Sequence, residues 1–98
     1  MIKHTVFFKL KHPAGSTAEA RFLDLAMKLG EIPEVRALEC VKQVSKKNGF
    51  AWGLLMGFDD QGAYDRYNQH PDHVAFVANH WVPEVEMFLE IDYVGDWA

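Results

Sequence analysis

The run Tyr67-Asn68-Gln69-His70-Pro71-Asp72-His73 places a phenol and two imidazoles within seven residues. Imidazole changes charge nearest neutrality, and its neutral form is what a general base requires. A phenol hydroxyl beside it can donate a hydrogen bond to a carbonyl or developing enolate oxygen. Backbone rules sort the three residues. His70 precedes a proline and is pushed out of the α region. Pro71 suits the first helical position, where its missing N–H costs nothing. His70 then serves as an N-cap, and Asp72 sits near the positive end of the new helix. His73 takes the third helical position, where its cationic form is disfavoured. Two readings follow. Either His73 is a base with Tyr67 as hydrogen-bond donor and Asp92 orienting the imidazole, or the run only ends one helix and starts the next. Strand parity alone leaves the direction of Asp92 open.

Other chemistries find less support. His73, Val77 and His80 form a helical stripe, but two turns separate the histidines by roughly 10 Å, too far for one zinc ion with ligands at ~2 Å. His70 and His73 lack a third ligand, so no metal is expected. Haem would need an axial histidine in a large pocket, and none is singled out. No glycine-rich phosphate loop follows a strand. Cys40 has no activating base nearby in sequence. No cofactor is expected.

The 98-residue chain has the length of one domain, spanning 1–98, with 49% hydrophobic and 24% charged residues. A formal charge of −4 without a basic run argues against nucleic-acid binding. One cysteine rules out an internal disulfide and fits a reducing compartment. The lysine-interrupted N-terminus is neither signal peptide nor membrane span. A cytoplasmic location without membrane association is expected.

The elements that must carry these side chains are visible as periodicities. "IKHTVFFKLK" alternates, with Ile2, His4, Val6, Phe8 and Leu10 on one face. His4 thus stands on an apolar strand face, the usual place of a satisfied core histidine. Ser16 with Glu19 forms a capping box, and the helix it opens ends near Gly30. "EVRALECVKQV" reads as a second strand, joined by Asn48-Gly49 in a tight hairpin turn. The third strand, "FAWGLLMGF", sets Phe50, Trp52, Leu54, Met56 and Phe58 opposite Ala51, Gly53, Leu55 and Gly57. Asp59 or Asp60 caps a helix over "QGAYDRYNQ", which Pro71 interrupts and Pro83 bounds after it resumes. "MFLEIDYV" is the fourth strand. Trp52 is expected in the core, Trp81 between helices and sheet, and Trp97 docking the C-terminus. The order βαββαβ implies a ferredoxin-like α+β fold with a four-stranded antiparallel sheet.

Neither face of the third strand is polar, yet the helices suffice for one sheet face only. Covering several hundred Å² of the other at ~25 cal/mol/Å² is worth roughly 10 kcal/mol before association costs. A homodimer packed sheet to sheet is therefore expected, the glycines letting the sheets approach closely.

The runs "IKHTVFFKL", "KLGEIPEVRALEC" and "FDDQGAYDRYNQHPDHVAFVANHWVPEVE" resemble the stress-responsive α/β-barrel (Dabb) family across nearly the whole chain. The "Y-x-x-H-P-x-H-x-x-F" pattern is the most specific part. The resemblance implies a ferredoxin-like fold whose two copies join their sheets into a barrel. It implies no single activity. A plant polyketide cyclase with this pattern performs an intramolecular aldol condensation without cofactor. Its catalytic pair corresponds to Tyr67 and His73, and His4 and Asp92 match positions lining or supporting its site. Two function classes are carried forward. One is a homodimer of undefined biochemical role that binds a small, partly apolar molecule between sheet and helices. The other is a cofactor-independent acid/base enzyme, an aldol-type cyclase or lyase. A purely structural, stress-protective dimer is a third possibility. An open cavity lined by His4, Tyr67 and His73 and joined by Asp92 would favour the enzyme, and a closed apolar one would favour binding.

Overall fold

A computed structural model describes residues 1–95, so the expected docking of Trp97 lies outside the described residues. Strands β1 (Ile2–Leu10), β2 (Arg36–Lys42), β3 (Trp52–Phe58) and β4 (Val85–Val94) form one antiparallel sheet in the order β2-β3-β1-β4. Helix α1 (Thr17–Met27) follows β1, and a short 3₁₀ turn over Lys28–Glu31 continues it. Between β3 and β4 lie α2 (Gln61–Gln69), α3 (Pro71–Phe76), a π-helical turn at Val77–Trp81 and α4 (Val82–Glu84). This is the ferredoxin-like split βαββαβ arrangement. Among the described residues no helix is long and apolar enough to cross a membrane.

Alternation decides which strand face meets the helices. Val6, Phe8, Leu54 and Phe58 are buried beneath Phe22 and Ala26 of α1 and Tyr67 and Phe76 of α2 and α3. The Phe22 ring lies 5.7 Å from Phe8 and 5.5 Å from Phe76, and Trp81 meets Phe8 edge-on at 5.1 Å. These tilted contacts suit aromatic quadrupoles and lock the helix layer to the sheet.

The caps follow the sequence. Ser16 accepts from the Glu19 amide at 3.2 Å, while the Glu19 carboxylate reaches past the cap to the Gly15 amide at 3.0 Å. Its other oxygen accepts from the Trp52 indole at 3.1 Å, tying α1 to β3. Asp60 caps α2 through the Ala63 amide at 2.8 Å. The last helical turn is clamped where it enters β4. Glu84 accepts from His12 at 2.7 Å and from His80 at 2.9 Å. Burial pushes the Glu84 carboxyl upward, but the two histidine hydrogen bonds and charges outweigh it, leaving it below the ordinary value.

Three expectations are corrected. Asn48-Gly49 is not a tight hairpin turn. β2 ends at Lys42 and β3 begins at Trp52, and neither Asn48 nor Gly49 has positive φ. Instead the Asn48 side chain accepts from the Phe50 amide at 3.0 Å and from Gln43 at 2.9 Å, closing a wider loop. Second, the strand over "EVRALECVKQV" breaks at a bulge between Arg36 and Glu39, where Ala37 has φ of 51°. Third, the glycines of β3 do not open that strand to another sheet. The Phe7 ring lies over Gly53 so closely that a Cβ there would stand 2.5 Å from it, and Met1 covers Gly57. The uncovered apolar surface is mainly on β4, where Met87, Leu89, Ile91 and Tyr93 are 40–53% exposed on the face away from the helices.

Candidate functional site

Register brings the two chain ends together. β1 pairs with β3 and β4, setting His4 opposite Met56 on one side and Asp92 on the other. All three therefore share the helix-facing side, which fixes the direction of Asp92. Glu90, opposite Val6, lies on the same face. His4 is only 8% exposed, and its Nδ1 stands 2.6 Å from Asp92 Oδ1.

Helix α2 presents Tyr64 and Tyr67 one turn apart, and both are buried. Tyr64 stacks on Phe58 at 4.8 Å and donates its hydroxyl proton to Asp92 Oδ2 at 2.7 Å. Its oxygen is also 3.0 Å from His4 Nδ1 and 3.3 Å from Glu90 Oε1. Burial and the Asp92 carboxylate hold the Tyr64 hydroxyl above the usual phenol range. Tyr67 is 2% exposed, and burial, with the Glu90 charge, likewise keeps it protonated. No hydrogen bond among the described residues engages the Tyr67 hydroxyl.

The helix break does what its residues dictate. His70 is extended (φ −64°, ψ 135°), and its ring nitrogen accepts from the Asp72 amide at 3.1 Å. Pro71 opens α3, and His73 turns its ring against Tyr67 at 4.3 Å between centroids. His73 Nδ1 lies 3.2 Å from the Asn68 carbonyl. Its pKa is lowered, chiefly by burial, against the opposing effect of the Asn68 carbonyl. Burial, and not the helix end, is thus the leading cause of the neutral preference. Asp92 is engaged with His4 and Tyr64; the group that orients His73 is the Asn68 carbonyl.

These side chains border a cavity of about 350 Å³ between sheet and helices. Leu54 and Met56 form its floor, Val77 and Trp81 its helical wall, and His4, Tyr67, Asn68, His73 and Glu90 its polar part. Asp92 stands behind His4 and does not line it. Mostly apolar walls with a few convergent polar groups are the usual make-up of a small-molecule site. His4, Glu90 and Asp92 also bring potential metal-ligand atoms within 4.8 Å of one another. The 2.6 Å between His4 and Asp92 is a hydrogen-bond separation, shorter than two ligands on one zinc ion keep when each lies at ~2 Å. As arranged, His4 and Asp92 are hydrogen-bonded to each other, and Glu90 joins them through the Tyr64 hydroxyl.

Tyr64 and Glu90 are the site residues that the sequence reading passed over. Tyr64 lies three residues before Tyr67, the helical spacing that puts it on the same face. Glu90 lies two before Asp92, the strand spacing that does the same.

The sequence profile of the stress-responsive A/B barrel domain, Dabb, matches residues 2–95. The chain belongs to the Dabb family. A Dabb-family protein with a ferredoxin-like fold from Mesorhizobium loti is 55% identical, with 96% of this chain and 95% of that one covered and a TM-score of 0.93. The Dabb fold also matches the hydroxynitrile lyase of Passiflora edulis at 16% identity, with coverage of 99% and 94% and a TM-score of 0.86. A dimeric ferredoxin-like protein of unknown function from Thermobifida fusca aligns at 18% identity, with coverage of 96% and 90% and a TM-score of 0.79. No curated protein matches this Dabb chain.

Proposed function

We propose that this Dabb protein is a homodimer that binds a small, partly apolar molecule in the cavity between its sheet and helices. The observation that carries the reading is the cavity itself, with Leu54, Met56, Val77 and Trp81 as apolar walls and His4, Tyr67, His73 and Glu90 converging on one side. The apolar walls supply affinity and the polar groups supply orientation. The dimer is supported by the apolar residues exposed on β4 and by the dimeric state of the Thermobifida fusca protein of the same fold. The binding test is calorimetric titration with medium-chain alcohols, ketones and acids, beside a Val77→Trp variant that fills the cavity. Saturable binding that the variant abolishes, with its circular dichroism unchanged, supports the reading. Binding that persists in the filled variant, or no binding by any member, contradicts it.

A second reading, cofactor-independent proton transfer of the aldol, cyclase or lyase type, is favoured by one specific arrangement. His73, inclined to stay neutral, packs against Tyr67, whose hydroxyl is uncommitted. His73 would take a proton from the carbon beside a carbonyl, and Tyr67 would hydrogen-bond the developing enolate oxygen. Every role here falls to the chain's own residues. The Passiflora edulis protein, a lyase by name, has this fold, which is compatible with the reading without assigning the chemistry. Deuterium exchange at the α-carbon of a bound ketone, followed by NMR, tests it. Exchange accelerated by the protein and lost in His73→Ala supports catalysis, and exchange at the buffer rate excludes it.

A further inference from the structure

Each cavity histidine has one ring nitrogen committed and one free. At His4 the committed atom is Nδ1, 2.6 Å from Asp92 Oδ1. A carboxylate oxygen only accepts, so this nitrogen carries the proton. Tyr64 donates its own proton to Asp92 Oδ2 at 2.7 Å and so fixes the carboxylate from the other side. The phenol oxygen, 3.0 Å from Nδ1, then faces the same N–H as a second acceptor. At His73, Nδ1 faces the Asn68 carbonyl at 3.2 Å, again an acceptor only.

Two unrelated pairings thus select the same tautomer for each ring in its neutral form, with Nδ1 protonated and the lone pair on Nε2. No hydrogen bond among the described residues engages either Nε2. Both rings border the one cavity and flank Tyr67, at 6.5 and 4.3 Å between centroids. Glu90, whose carboxylate also accepts only, borders it too. Asn68 and Trp81 border it as well and bring N–H donors of their own, so the acceptors are a feature of the surroundings of Tyr67, where an imidazole stands on either side of the phenol.

We infer that His4 is a second hydrogen-bond acceptor of the cavity, held in the Nδ1–H tautomer by Asp92 and Tyr64, and that the part of the cavity around Tyr67, between His4 and His73, selects apolar molecules bearing hydroxyl or N–H donors over those bearing acceptors only. This deepens the binding reading above and rests on it. The physical ground is the cost of covering a buried acceptor without giving it a donor, which exceeds the gain from a satisfied bond. Asp92 and Tyr64 act through His4 and are positioning residues. His4, not His73 alone, then sets ligand polarity.

The test has two arms. Long-range proton–nitrogen NMR in mildly alkaline buffer, where imidazole is neutral, reads each tautomer without any ligand. The expected result is Nδ1–H at His4 and His73, the reverse of the form that free histidine prefers. In Asp92→Asn the side-chain amide offers a donor to Nδ1, so His4 should switch to Nε2–H while His73 stays unchanged. His4 found as Nε2–H or doubly protonated in the unaltered protein overturns the inference, and this result does not depend on whether the variant folds. An unswitched His4 in a folded Asp92→Asn variant overturns the role of Asp92. The second arm titrates 4-ethylphenol against 4-ethylanisole, a donor and its methyl ether. The phenol should bind about tenfold tighter, a margin that narrows in the variant. Equal affinities overturn the selectivity. If neither probe binds while both tautomers are as expected, the binding reading fails and the tautomer assignment survives.

Discussion

At the scale of residues, the cavity separates structural polar groups from uncommitted ones. His70 is spent on the Asp72 amide, and Tyr64 on Asp92. The Tyr67 hydroxyl is spent on nothing within the described chain, although its ring is buried. Tyr67→Phe should therefore leave thermal stability almost unchanged while weakening the binding of a carbonyl ligand about five- to tenfold. Paired melting and titration experiments check this, and a large fall in melting temperature would mean that the hydroxyl supports the fold. His73 carries a signature in pH. Its folded pKa lies below the ordinary value of 6.5, chiefly through burial. The folded state then binds fewer protons than the unfolded one, so its contribution is fully present above 6.5 and is lost as pH falls through the lowered folded value. His73→Gln should flatten the stability profile below that point, measured as denaturation midpoint against pH. Tyr67 and His73 were legible because proline grammar places them on either side of one break. Tyr64 and Glu90 carry no such punctuation, and their roles depend on a register between strands 80-odd residues apart that only folding reveals.

Among the elements, those with regular periods were readable and those with local irregularities were not. β1 announces itself by alternation, and α1 and α2 by Ser16 and Asp60 at their caps. The π-helical turn at Val77–Trp81 has no comparable mark, nor has the bulge in β2. Ala37 sits at φ 51°, where its Cβ crowds the backbone, yet nothing about an alanine signals that conformation. Ala37 is exposed, so little else depends on its methyl group. Relief of the left-handed strain, roughly 1–2 kcal/mol, exceeds the entropy cost of glycine at about 0.5–1 kcal/mol. Ala37→Gly should accordingly stabilise the protein by up to about 1 kcal/mol in chemical denaturation, whereas a loss would show that the bulge is not strained. The Asn48-Gly49 pair teaches the opposite lesson. Its composition suits a tight turn, but Gln43 and Phe50 offer Asn48 better hydrogen bonds in a longer loop.

For the molecule as a whole, the sequence located an uncovered apolar face but not its centre. The glycine row of β3 is sealed by Phe7 and Met1 of the same chain, whereas β4 is an edge strand whose face away from the helices is left bare. On that face Met87, Leu89, Ile91 and Tyr93 stay apolar and open. A second copy that covers β4 would remove this surface from water and protect a sheet edge that otherwise invites aggregation. Ile91→Lys, on the face away from the helices, should leave the cavity residues in place and shift the equilibrium to monomer. The central claim, a dimer with an occupied cavity, is tested most directly by native mass spectrometry of protein purified from its own host across a range of concentrations. The account predicts twice the 11.2 kDa chain mass with a small molecule carried by each chain. A bare 11.2 kDa species at every concentration would contradict it.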